Sequence, residues 1–354
     1  MPFSPLAPTP TVTADLPGIG GRMKSQPEDF EVEEVPAYQP CGQGDHLYLW
    51  VEKRSMGAEY FVRQIARRLD IAPGEVGVAG LKDRHAVTRQ MVSVPVSAEG
   101  RISQLDGEGI RVLNVSRHGN KLKSGHLHGN RFRILLRDVV PEAAERLPPI
   151  IERLRRDGWA NYYGPQRFGR DGETVKLGLE MLRGGDGAKR VRNPFLRKLA
   201  LSAAQSAVFN HYLARRLQDG LFRKVIQGDV MAKWPFGGMF VAEDVEREQA
   251  RFDARETVSA GPIVGRKTFA AAATAADRES QAIVDSGIAR DALSHFGKLM
   301  PGTRRHNLNY TNDLEGVFVQ NGLQLTFSLA AGSYATVLLR EITKNEAMDS
   351  TEEA

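Results

Sequence analysis

The sequence predicts an α+β protein in which a sheet-based core is interrupted by an inserted, more helical domain. Three observations carry this. Short stretches of alternating apolar residues dominate the first part of the chain, the texture turns helical after Gly158, and strand-like alternation returns near Tyr310. At 354 residues the chain is also too long for one ordinary core. A core from 1–157 plus 310–354 and an insert from 158–309 are therefore expected.

The elements follow in order. Phe30, Val32 and Val35 sit in a strand entered after Pro27, and 46–51 is a second strand. Ala58–Leu69 places Phe61, Ile65, Ala66 and Leu69 on one side, as a helix packed on a sheet does. Strands over 110–116 and 131–137 flank a turn-rich stretch with Gly119, Gly125 and Gly129. In the second strand Phe132, Ile134 and Leu136 take one face, while Arg131, Arg133 and Arg137 mostly take the other. Helices are predicted over Glu173–Leu182 and 196–217, the latter with the small pair Ala203-Ala204, and a glycine-rich loop at 184–187 separates them. The segment 231–241 reads as strand and 269–286 as an alanine-rich helix. Asn321-Gly322 signals a hairpin between 314–319 and 323–329. Ser333 is the expected N-cap of an apolar helix over 334–342. No internal repeat is found.

The segment 80–90 is the richest in chemistry. It holds Asp83 at the tip of a strand–loop–strand, flanked by Lys82 and Arg84, with His85 two residues on. Val76 and Val78 lead in, and Val87, Met91, Val92 and Val94 lead out. Gly80 suits a sharp bend of the backbone. Cationic neighbours favour the ionised carboxylate and lower its pKa. An ionised aspartate on a loop carried by a rigid sheet can act as a nucleophile.

Composition narrows the partners. With 48 Lys+Arg against 43 Asp+Glu the net charge is only +5, but the excess is clustered. Between 111 and 137 stand Arg111, Arg117, Lys121, Lys123, Arg131, Arg133 and Arg137, with no acidic residue. Over 151–198 basic side chains outnumber acidic ones twelve to six. Such a strip with aromatics nearby suits a phosphate backbone better than a membrane, since no lysine-rich amphipathic helix accompanies it. The single Cys41 excludes an intramolecular disulfide and fits a reducing compartment. The first fifteen residues lack a signal-peptide pattern, and no apolar run approaches a membrane span. A soluble, cytoplasmic protein is expected. The Pro/Thr-rich first dozen residues and the acidic tail (Glu346, Asp349, Glu352, Glu353) are expected to fray.

The loop around Asp83 resembles the active-site motif of the pseudouridine synthases of the D type, which modify tRNA. Gly80, Lys82, Asp83, Ala86, Thr88 and Gln90 match its glycine, lysine, aspartate, alanine, threonine and glutamine. The loop 161–169, with its three aromatics and Arg167, and the helix 201–210 are similar to that family's signatures as well. Phe30, Asn130, Phe132 and Tyr334 fall where the family contacts its target base, Tyr334 where some members carry phenylalanine. The resemblance runs from Phe30 to Arg340. It implies a catalytic core on a mixed, largely antiparallel sheet, interrupted by an inserted α/β domain. It implies isomerisation of uridine to pseudouridine at position 13 of tRNA, with Asp83 as catalytic residue. Such an enzyme flips its base out of the stack, and neither cofactor nor metal is implied.

A cation should pair with Asp83, for which Lys24, Lys82 and Arg340 are candidates that sequence does not rank. Phe30, Asn130, Phe132, Tyr334, Lys24 and Lys82 are the expected substrate-binding residues, and a monomer is the expected state. His126 and His128 share a strand face but lack a Cys or carboxylate at ligand spacing, so zinc is not expected. Gly18–Gly21 precedes a strand, which removes the context a dinucleotide fingerprint needs. Two rivals remain: a base glycosylase, which would release free base, and a non-catalytic RNA-binding protein, which would leave Asp83 without a role.

Overall fold

The computed structural model describes residues 2–184, 191–235, 237–289 and 292–345. The acidic tail and all but the first residue of the glycine-rich loop at 184–187 lie outside the described residues. The chain opens with β1 (Gly20–Arg22), β2 (Phe30–Pro36), β3 (His46–Arg54), α1 (Ala58–Leu69), β4 (Gly77–Val78) and β5 (Val87–Pro95). It continues with β6 (Ile110–His118), β7 (Leu127–Val139), α2 (Ala143–Asp157), β8 (Trp159–Ala160), α3 (Glu173–Leu182) and α4 (Pro194–Gln218). Next come β9 (Val230–Lys233), β10 (Met239–Val241), α5 (Val245–Asp253), β11 (Thr257–Ile263), α6 (Ala273–Asp285) and α7 (Ala292–His295). Last are β12 (Thr303–His306), β13 (Leu308–Asn309), β14 (Glu315–Val319), β15 (Gly322–Ala330) and α8 (Ala335–Thr343). The contacts divide the chain into two units: 17–151, 311–335 and 342–354 form one, and 1–16, 152–310 and 336–341 the other.

The first unit is built on a nine-stranded sheet ordered β14-β15-β7-β2-β5-β3-β6, with β1 on β7 and β4 on β5. Its β2–β5 pair is parallel, and the other pairs are antiparallel. The expectation of an α+β fold with a mixed, largely antiparallel sheet is met. Alternation makes this sheet work: Leu47, Leu49 and Val51 of β3 and Val92 and Val94 of β5 point to one face, where Phe61, Ile65 and Leu69 of α1 cover them. Asp70 closes α1 in the left-handed conformation, its N–H returning to the carbonyls of Ala66 and Arg67.

The second unit packs α3 and α4 around Val175, Leu179, Leu182, Ala200, Ala203, Ala204 and Val208. Gly178 is required there, because a Cβ would meet the Ala200 carbonyl oxygen at 2.0 Å. A four-stranded sheet, β10-β9-β11-β12, completes the unit with the β8–β13 pair. Asn193 caps α4 through Phe195 N and Leu196 N, at 2.9 and 3.3 Å. The start of the chain is anchored where a frayed end was expected. Val12 N and Thr13 N donate to the Glu341 carboxylate at 3.0 and 3.1 Å, and the Phe3 ring meets His211 edge-on. A Pro/Thr-rich terminus was expected to fray because the sequence alone does not show the distant carboxylate that satisfies this backbone. Helix α8 starts at Ala335, one residue later than expected.

Candidate active site

Asp83 lies on the loop between β4 and β5, and the loop is tied at several points. Ala79 O accepts from Gly125 N at 2.8 Å, and Ala86 O accepts from Ser55 N at 3.1 Å. The Lys82 side chain turns inward and donates to Glu34 Oε2 at 2.6 Å, with side-chain exposures of 3% and 0%. Glu34 also accepts from Met91 N at 3.3 Å. Beneath the loop the buried Lys53 ammonium donates to Asp83 O at 2.9 Å, to Lys82 O at 3.4 Å and to Met56 O. Burial pushes the Lys53 ammonium down to about 8, Asp83 pulls it back up, and Lys82 pushes it down again. The Asp83 carboxylate itself is exposed.

Of the three candidate cations, the geometry selects Lys24. Its Nζ is 3.5 Å from Asp83 Oδ1 and 4.4 Å from the centre of the Phe30 ring. Lys24 holds a φ of +58°, a conformation that costs a non-glycine residue roughly 1–2 kcal/mol. The turn that follows it, Pro27–Asp29, is pinned by the buried Asp29, which accepts from Arg137 at 2.7 and 2.9 Å and from Gln26 N at 3.1 Å. Burial alone would raise the Asp29 pKa; the Arg137 and Gln26 bonds win and hold it below the usual carboxylate range. Arg340 belongs to the other unit, where it donates to Thr9 Oγ1.

The sheet supplies the surface beside this pair. Register sets Lys53, Thr88, Val32, Phe132 and Phe327 in one row across β3, β5, β2, β7 and β15. Phe132 stacks on Phe327 at 5.2 Å and meets the edge of Phe30 at 6.1 Å; all three rings are buried. Two residues along each strand, and so on the same face, come Gln90, Glu34 and Asn130. Within these rows Thr88 Oγ1, Gln90 Oε1 and Asn130 Oδ1 are buried without a hydrogen-bond partner among the described residues. Unmet buried acceptors call for an explanation, and a bound donor supplies one. Tyr334 follows the end of β15, whose last pairs are Leu329 with Asn130 and Ala330 with Gly129.

Arg131 and Arg133 take the opposite face, and there they are not free. Arg133 sits across from Glu31 and binds it at 2.5 Å, and Arg131 sits across from Glu33 at 3.4 Å. Arg89 adds contacts to Glu52 at 2.8 Å and Glu31 at 3.5 Å, and Arg111 to Glu52 at 3.7 Å. Three arginines of the strip that looked purely basic in sequence, Arg111, Arg131 and Arg133, are thus engaged in cross-strand pairs. Replacing both Arg131 and Arg133 with Gln should therefore change the slope of log affinity for tRNA against log salt by less than ~1. Two free phosphate contacts would shift it by roughly 2. A titration of binding across salt concentrations decides between them.

The loop 161–169 is largely interior to its own unit. Tyr162 and Phe168 are buried, Asn161 binds Arg305, and Arg167 reaches Ser206 Oγ at 3.2 Å. His118 and His126 engage Tyr38, the first by ring stacking at 5.1 Å and the second by a 2.8 Å hydrogen bond. Sequence reasoning missed Glu34, Lys53, Asp29 and Phe327. Glu34 and Lys53 carried a signal: each occupies an inward position of an alternating strand, after Phe30 and Val32 in β2 and after Leu47, Leu49 and Val51 in β3.

The chain matches the family described as tRNA pseudouridine synthase D (TruD) over residues 9–189 and 186–342. It is 42% identical to the tRNA pseudouridine synthase D of Anaeromyxobacter dehalogenans over 343 residues, 96% of this chain and 97% of that one. It is 39% identical to that of Thermus thermophilus over 345 residues, 97% and 94% of the two chains. The crystal structure of a Methanosarcina mazei protein described as a tRNA pseudouridine synthase D superposes with a TM-score of 0.77 at 22% identity. It covers 94% of this chain and 95% of its own, and it supports the fold. No described helix is long and apolar enough to cross a membrane. With its motif loop, its sheet and these relatives in agreement, the chain belongs to the tRNA pseudouridine synthase D family of isomerases.

Proposed function

We propose that the enzyme converts uridine at position 13 of tRNA to pseudouridine, with Asp83 as the nucleophile. The observation that carries this reading is the Asp83 carboxylate held 3.5 Å from Lys24, on a loop whose backbone and flanking side chain are fixed from below. The reaction is an isomerisation. The bond from C1′ to N1 breaks, the uracil turns, C5 bonds to C1′, and the proton lost from C5 is balanced by one gained at N1. The target base must leave the stack to be reached. Asp83 attacks C1′ as N1 leaves, or adds to C6 of the base. In either case the bond to its carboxylate is broken again once C5 holds C1′, restoring the ionised Asp83. Lys24 compensates that carboxylate before attack.

The detached uracil needs a flat apolar support that lets it turn, a part suited to Phe132, Phe30 and Tyr334. Its N3–H donor would satisfy the unmet oxygen of Asn130. Lys82 braces the loop through Glu34. These residues all belong to the unit with the nine-stranded sheet, which we read as the catalytic core, and the 158–309 region as further tRNA contact.

Release of tritium from tRNA labelled at uridine C5, followed by mapping of the modified position, tests the reading. Free uracil in the products would instead favour a glycosylase, and binding without release a non-catalytic protein. For Phe132→Leu, loss of a ring stacked on Phe327 should lower stability by roughly 1 kcal/mol. The single-turnover rate should fall about tenfold, since base–aromatic stacking is worth ~1–3 kcal/mol. Melting temperature and rate measured together check both; a normal rate would make Phe132 a packing residue only.

A further inference from the structure

We infer that Lys53 is a positioning residue for the reaction: it fixes the direction in which Asp83 presents its carboxylate. This rests on the reading of Asp83 as nucleophile. Lys53 donates to the carbonyls of Lys82 and Asp83, which are the peptide groups on either side of the Asp83 Cα. With both planes held, the φ and ψ of Asp83 are restrained and so is its Cα–Cβ bond. The third contact, to Met56 O, ties the ammonium to the turn after β3. An ammonium carries three donors and no acceptor, which matches three converging carbonyls.

The arrangement is costly for the fold. Lys53 is 1% exposed, and among the described residues it forms no ion pair with a carboxylate. A buried charge met only by neutral oxygens is a poor way to gain stability, which points to a role in holding the loop.

The charged groups around Lys53 are Asp83 and Lys82 of the loop, with Lys24 beyond the first and Glu34 beyond the second. Its neighbours across the sheet, Thr88 on β5 and Ile110 on β6, do not titrate. A neutral amine would keep two donors and turn a lone pair toward one carbonyl. The rate should therefore fall as pH rises through about 8. The stability contribution has the opposite sign. Between about 8 and 10.5 the unfolded chain holds the Lys53 proton and the folded chain has released it, so this group makes folding more favourable as pH rises. Loss of rate by this route is thus distinct from loss of fold.

The experiment is single-turnover tritium release from C5-labelled tRNA by the wild type, Lys53→Met, Lys53→Arg and Asp83→Asn, with tRNA affinity and melting temperature followed in parallel. Lys53→Met should lower the rate on the order of 100-fold with affinity unchanged, as displacement of a reacting group does. Lys53→Arg, charged throughout, should recover part of that rate and keep it above pH ~8, where the wild type declines about tenfold per unit. A folded Lys53→Met turning over within about threefold of wild type overturns the inference. So does a wild-type rate that stays level from pH ~7 to ~9.5, whether or not that variant folds. An active Asp83→Asn brings down the nucleophile reading itself, a result no Lys53 variant can produce.

Discussion

Asp83→Asn is expected to lower the rate of pseudouridine formation on the order of 10⁴-fold or more, while tRNA affinity stays near wild type. The amide is close to isosteric and can still accept a hydrogen bond, but it offers no anionic oxygen for attack. The backbone contact from Lys53 and the Lys82–Glu34 anchor involve no side-chain atom of Asp83, so the loop should keep its shape. Lys24 then faces a neutral group at an exposed position, which costs little stability. Single-turnover assays with excess enzyme, beside filter binding, separate the two quantities. Pseudouridine above a trace would remove Asp83 from the chemistry.

The largest stability effect is expected at the Lys82–Glu34 pair. Glu34→Leu strands an ammonium in a site 3% exposed, and Lys82→Met strands a fully buried carboxylate. Each single change should cost about 3–5 kcal/mol, since removing one partner of a buried ion pair leaves an uncompensated charge. The double variant Glu34→Leu, Lys82→Met should regain most of that, because two apolar side chains of similar size remove both charges together. Its rate should stay low even so: an apolar contact does not hold the loop in register as a 2.6 Å charged hydrogen bond does. Denaturant melts of the four proteins close the cycle. A double variant that recovers both stability and rate would reduce the pair to packing.

Much of the architecture was legible in the residues, and the misses have identifiable causes. Helices α1 and α3 have the bounds their periodicity predicts, because each buries a clean stripe. Helix α2 had no counterpart in the sequence reading: Ala143, Leu147, Ile150 and Leu154 are buried at helical spacing, and the helix continues through Pro148 and Pro149, which ordinarily end one. Strand β11 was missed because Gly261 and Pro262 sit inside it. The segment 231–241 is two short strands, β9 and β10, paired with each other. At the site, the motif pointed to Asp83 but not to its cation, since proximity between Lys24 and Asp83 depends on which strands pair. The basic strip misled for the same reason. A count along 111–137 leaves out Glu31, Glu33 and Glu52, which the sheet brings opposite those arginines.

The parallel pairing of β2 with β5 has a consequence for when this molecule becomes active. Lys24 precedes β2 and Asp83 precedes β5, and two parallel neighbours begin at the same end of the sheet, so both groups arrive there together. Antiparallel pairing would send them to opposite ends. Yet Glu31–Val87 and Phe30–Ile134 are pairings between residues remote in the chain, the kind that closes late because loop entropy must be overcome first. The helices and the β14–β15 hairpin can form from local contacts, but the carboxylate and its lysine cannot meet until the central strand is seated. A nascent or partly folded chain therefore carries the motif without the Asp83–Lys24 contact, which forms only once β2 and β5 have paired.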